Sequence, residues 1–220
     1  MLACVGAGIS LYGAVQYFLG ILRGDTHPRL ASWIAWLSAN SVFTAVAFLE
    51  HAYLAAIING LAAAANAAIL VISIARRQGE KPTGRTDWSC LVAASACLLM
   101  QVLFPKAQLL GAILAMAANA TASWPTIVHA WHRPKEESWQ FFTANIAAGG
   151  LSSAGIALTS GFGLVALAGP LMTMIGNMVM TSITVGRGWV MRAEEEVIEE
   201  IRKVEELFDE SSPGIDGTTE

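Results

Sequence analysis

The feature that most constrains this chain is where its charges are not. No Asp, Glu, Lys, Arg or His occurs in Met1–Leu22, Leu30–Leu49, Ala52–Ala75, Trp88–Pro105, Ala107–Val128 or Ser138–Gly186. A hydrocarbon core about 30 Å thick takes roughly 20 residues of apolar helix to cross. Each run is near that length, and the last is long enough for two spans turned at Gly161–Phe162–Gly163. Composition agrees. Only 14% of the residues are charged, against about 25% in a soluble domain. Six such runs, seven spans in all, exclude a soluble helical fold. Their unbroken apolar length excludes a barrel, whose strands alternate over about 10 residues.

The predicted spans are 3–22, 30–49, 53–75, 88–104, 108–131, 138–159 and 163–186. Their orientation follows from Lys and Arg. With seven spans, the N-terminus and the 2–3, 4–5 and 6–7 loops share one side, which holds only Lys106. The other side holds Arg23, Arg29, Arg76, Arg77, Lys81, Arg85, Arg133, Lys135, Arg187, Arg192, Arg202 and Lys203. The positive-inside rule then predicts an integral membrane protein with its N-terminus outside and its C-terminus cytoplasmic. Met1–Leu22 lacks the basic start of a signal peptide and reads as a retained first span.

One short element is written twice. Pro28–Arg29–Leu30–Ala31–Ser32–Trp33 returns as Pro134–Lys135–Glu136–Glu137–Ser138–Trp139, each copy between long apolar runs. Ser32 and Ser138 suit helix starts, and Trp33 and Trp139 suit the membrane interface. Their order and matching positions point to duplication. Two parallel three-helix repeats then need one intervening span to keep the same orientation. The expected architecture is an all-α membrane protein: 1–75 as the first repeat, 76–106 as a loop and linker helix, and 107–186 as the second repeat. Beyond these, 187–210 is an acidic amphipathic cytoplasmic helix and 211–220 a disordered tail. In that helix Val197, Ile201, Val204 and Phe208 form one stripe. It either continues span 7 in solvent or pairs or docks through the stripe.

The polar residues inside the spans are mostly amides: Asn40, Asn59, Asn66, Asn119, Asn145 and Asn177. A buried amide costs free energy unless it is hydrogen-bonded, so each is interhelical glue or a ligand contact. Asn59 and Asn66 are seven apart and share a helix face. Ungapped alignment of the third helices sets Asn66 on Asn177. No Asp, Glu, Lys or Arg lies deep in a span, so nothing resembles a proton relay, and His129 reads as a solvated interfacial histidine. Cys4, Cys90 and Cys97 imply neither a disulfide framework nor a metal site. Phosphate-loop, zinc-protease and nucleophile-elbow motifs are absent. No enzyme, cofactor, metal or nucleic-acid partner is expected.

The 3+1+3 order, the outward N-terminus and the parallel repeats resemble the SWEET and PQ-loop (MtN3-like) transporter superfamily. The resemblance covers nearly all of residues 1–190. Trp124–Pro125–Thr126 stands where such families carry a proline in the first helix of a repeat, although no Pro-Gln pair occurs. Ile58–Asn59–Gly60 resembles the cavity asparagine of the third helix. The second copy has Pro170–Leu171 at that place instead. The resemblance implies facilitative transport of a small neutral polar solute, sugar first, by alternating access between two bundles. Asn59, Asn66 and Asn177 would touch the solute. Pro125 and Pro170 would act as hinges, with Trp33 and Trp139 at the inner gate. The alternatives it leaves are an amino acid or vitamin-like nucleoside carrier, or a non-transporting receptor or scaffold on the same fold. Partners are then the solute and the bilayer, and homo-oligomerisation stays open.

Overall fold

In the computed structural model, which describes residues 1–161 and 163–211, the chain is helical throughout. The helices are α1 Leu2–Arg23, α2 Leu30–Leu49, α3 Tyr53–Ala75, α4 Arg85–Leu103, α5 Gln108–His132, α6 Trp139–Ser160 and α7 Leu164–Ser211, with a short 3-10 turn at Pro134–Glu136 before α6. Residues 212–220, and with them most of the expected disordered tail, lie outside the described residues, as does the side chain of Phe208.

Among the described residues, six helices are long and apolar enough to cross a membrane: α1, α2, α3, α4, α6 and α7. The seventh expected span, α5, is long enough at 25 residues but carries Asn119, Thr121, Ser123 and Pro125, which lower its hydropathy. The helix ends match the charge gaps closely. Arg23 is the last residue of α1, and Gly24 ends that helix in the left-handed region at φ +83°, a conformation that favours glycine.

The helices close a ring in the spatial order α1–α3–α2–α5–α7–α6, with α6 returning to α1. α4 lies outside it against α2 and α5. Small residues permit close approach. A Cβ added at Gly155 of α6 would stand 2.6 Å from the Ala3 nitrogen of α1. One at Gly149 would stand 2.7 Å from the Pro170 carbonyl oxygen of α7. In a bilayer such packing replaces the hydrophobic driving force between helices.

One open alternative is settled here and one expectation changes. α7 runs unbroken through residues 186–187 as one 48-residue helix, roughly 70 Å long at 1.5 Å per residue. The acidic segment is therefore the continuation of span 7. Val197, Ile201 and Val204 are exposed, and Lys135 Nζ reaches Glu195 at 2.7 Å. The two copies of the repeated element also differ locally. Ser138 caps α6 by accepting the Phe141 N–H at 3.3 Å. Ser32 caps nothing: it is buried inside α2, which starts earlier, at Leu30. That start is pulled forward because the Leu30 N–H donates to the Glu80 carbonyl at 3.1 Å while the Glu80 N–H donates to that of Pro28 at 2.9 Å.

Candidate binding cavity and the charged end beside it

All the ring helices contribute to a small central cavity. Its polar lining is Ser10, Asn40, Asn66, Asn119, Ser123, Asn145, Thr173 and Asn177, and Trp36, Phe141, Met172 and Met180 supply the apolar wall. Five of the six intramembrane asparagines thus meet in one place. Three are tied by their NH2 groups to the carbonyl one turn back. Asn40 donates to Trp36 at 2.9 Å, Asn145 to Phe141 at 3.0 Å and Asn177 to Thr173 at 2.6 Å. Such bonds aim the amide oxygens away from their own helices. The Asn145 oxygen accepts from Ser10 Oγ of α1 at 2.7 Å. The Asn40 oxygen is buried with no hydrogen-bond partner among the described residues. A buried acceptor left unpaired costs about 1–3 kcal/mol, and a donor on a bound solute would recover it.

A second small cavity adjoins the first and shares Ser10, Ala62, Ala65, Asn145 and Thr173 with it. It extends toward Ala7 of α1 and Ile58 of α3, and it holds Asn59 and Pro170. Asn59 packs against Gly169 of α7. Asn66 and Asn177 therefore share the central cavity, while Asn59 sits one layer away beside Pro170.

On the other side of the amide layer lies an aromatic cluster. Tyr17, Trp33 and Phe141 stand 4.9–5.6 Å apart between ring centroids. Trp33 is 1% exposed and is not an interfacial tryptophan. Its counterpart Trp139 is 50% exposed and lines a separate groove with Trp189, Arg23 and Arg192. The duplicated tryptophans thus occupy different environments, because Trp33 turns into the ring whereas Trp139 opens α6 at its rim.

Past the aromatic layer, the basic loops are stitched together by acids. Arg29 bonds Glu80, and its other nitrogen reaches Asp87 at 2.8 Å. Asp87, 1% exposed in the first turn of α4, also accepts from the N–H groups of Thr83 at 3.0 Å and Gly84 at 3.3 Å. Arg133 lies 3.7 Å from Glu80 and 3.4 Å from Glu136. The His27 N–H donates to the Glu136 carbonyl at 3.2 Å. His129 is buried, not solvated, with Glu80 3.6 Å from Nδ1 and Glu136 3.3 Å from Nε2. Pro125 lines the pocket formed by these groups rather than the central cavity.

Glu137 is a second buried acid of this end, between the 3-10 turn and α6. Its carboxyl accepts from Tyr17 Oη at 3.2 Å, and burial pushes its pKa up to about 8. Sequence reasoning missed Glu80, Asp87, Glu136 and Glu137 as a group. The available signal was that these acids sit inside loops otherwise rich in Arg and Lys.

No family model, curated protein or solved structure matches this chain.

Proposed function

We propose that this protein is a facilitative membrane transporter of a small neutral polar solute, sugar first, working by alternating access. The observation that carries the reading is the central cavity. It is formed jointly by both halves of the chain and lined by five amides, hydroxyls and two aromatic rings, with no charged side chain. A solute rich in hydroxyls matches amide oxygens turned inward, which replace its lost water, and a neutral one avoids the far larger cost of burying a charge.

Three further features support a SWEET-like, two-repeat arrangement. α1 packs on α6 as α5 packs on α2; α2 on α3 as α6 on α7; α1 on α3 as α5 on α7. These pairings are what a two-fold relation between α1–α3 and α5–α7 requires, with α4 outside as the linker. The aromatic cluster and the Arg29–Glu80–Asp87 network lie on one side of the amide layer and act as the inner gate. Its closed state puts solute entry on the other side, through the cavity that holds Asn59.

Rocking of one bundle against the other then exchanges access. Pro125 and Pro170 lie within α5 and α7, and a proline inside a helix removes one backbone hydrogen bond and crowds the preceding turn. The second bundle therefore bends while the first serves as frame. Pro125→Ala should slow transport and leave equilibrium solute binding unchanged. A parallel loss of both would make Pro125 a pocket-shaping residue instead of a hinge.

The test of the function itself is uptake into proteoliposomes, screened over neutral sugars, amino acids and nucleosides without an imposed proton gradient. Saturable uptake of at least one solute is expected. Uptake by none of them, or only with a proton gradient, would overturn the facilitative reading.

A further inference from the structure

The charged end contains three buried polar atoms that converge without bonding. His27 Nδ1, His129 Nε2 and Glu136 Oε2 have no hydrogen-bond partner among the described residues. Yet Glu136 Oε2 lies 3.3 Å from His129 Nε2 and 3.9 Å from His27 Nδ1. Buried polar atoms are nearly always satisfied, so His129 Nε2 and Glu136 Oε2, unpaired at 3.3 Å, ask for a common partner. One donor atom from each of Glu80, His129 and Glu136 also lies within 4.8 Å of the others.

The surrounding contacts leave these atoms available. Arg133 engages Glu136 through Oε1 at 3.4 Å, so Oε2 is the oxygen turned inward. Glu80 Oε2 stands 3.6 Å from His129 Nδ1. Arg29 in turn bonds Glu80 and fixes that carboxylate. The spacing also suits a metal. Around a tetrahedral ion with ligands about 2.0–2.1 Å away, neighbouring ligand atoms stand about 3.3–3.4 Å apart. The Nε2–Oε2 separation of 3.3 Å has that length. Mixed imidazole and carboxylate donors select zinc-class ions over magnesium and calcium, which take oxygen ligands.

We propose that His129, Glu136 and Glu80 together bind a divalent zinc-class ion. The three ligands come from the end of α5, the 3-10 turn and the 3–4 loop, and His27 of the 1–2 loop stands beside Glu136. A bound ion cross-links the 3–4 and 5–6 loops of the basic end. Binding itself does not depend on the transport reading. Its consequence, an inner gate locked by the metal, does rest on it.

The experiment uses the purified full chain, stripped of metal, with Co²⁺ as a visible-absorbing probe and Zn²⁺ as competitor. One equivalent of Co²⁺ should bind, show the intense bands of a four-coordinate site, and be displaced by Zn²⁺. His129→Asn and Glu136→Gln should each weaken binding at least tenfold, and His51→Ala, at an exposed histidine, should leave it unchanged. If His129→Asn does not stay monodisperse, Glu136→Gln carries the comparison. No stoichiometric binding, or binding equal in wild type and Glu136→Gln, would overturn the site. That outcome would leave the transport reading standing, since solute uptake is measured separately.

Discussion

The amide cavity and the charged end are built from the same helices but solve opposite problems. In the cavity, polar groups are neutral, and most of their hydrogen bonds go to their own helix, as Asn40, Asn145 and Asn177 do with the carbonyl one turn back. Few of them need another helix to be satisfied. At the charged end many of the ion pairs join segments far apart in the chain. Arg29 meets Glu80 and Asp87, and Lys135 meets Glu195. The first region can therefore exchange partners for a solute at little cost to the fold. The second holds the loops in place and is expensive to disturb.

The largest effect expected from that contrast is at Arg29. Replacing it with Ala leaves Asp87 buried without its charge partner, and breaking a buried pair costs about 3–5 kcal/mol. Residual N–H bonds to Asp87 from Thr83 and Gly84 hold the loss toward the lower figure. Thermal unfolding in detergent should show a clear drop for Arg29→Ala and a much smaller one for Asn66→Ala. Equal drops would erase the distinction between the two regions.

Protonation supplies the next test. The folded-state pKa of Glu137, about 8, lies above its ordinary value of 4.5. Between those values the folded chain holds a proton that the unfolded chain has released. This contribution to stability is therefore complete at low pH and lost as pH rises from about 4.5 to about 8. Unfolding temperature should fall over that window in the wild type, and Glu137→Gln should flatten the slope. A slope unchanged by the substitution would show that Glu137 stays ionised in the fold.

The smallest effect separates the two copies of the repeated element. Ser138→Ala removes a real helix cap and should cost about 1 kcal/mol. Ser32 accepts no helix N–H, so Ser32→Ala should not show a cap loss. Equal losses would mean that both serines cap.

How much of this was legible follows from the range of the interactions. Helix positions were readable because charge gaps are local: α2 at Leu30–Leu49 and α3 at Tyr53–Ala75 fall where the uncharged runs begin and end. α4 begins at Arg85, three residues before its predicted start, because Asp87 is drawn into the first turn by the Thr83 and Gly84 N–H groups and by Arg29. The convergence of Asn66 and Asn177 was approached through the ungapped alignment of their helices. Asn40, Asn119 and Asn145 were seen as intramembrane amides but not as lining of the same cavity, since no local pattern says which way α2, α5 and α6 face. The charged end was the blind spot. The reading of the spans as free of buried acids took the loops as solvated, whereas Asp87 and Glu137 are buried by partners 58 and 120 residues away. His129 was misplaced for the same reason. Its burial comes from Glu80 and Glu136, which no helical periodicity brings beside it.

The central claim, that the amide layer binds the solute, is tested most directly at Asn66 and Asn177. Both face the cavity, and one hydrogen-bond partner lost in a binding site costs about 1–3 kcal/mol, or roughly 5- to 150-fold in affinity. In proteoliposomes, with the solute found by screening, the Asn66→Ala and Asn177→Ala double variant should lose uptake while its unfolding temperature stays close to wild type. Uptake at the wild-type rate and affinity would contradict the account and leave these asparagines as packing residues between helices.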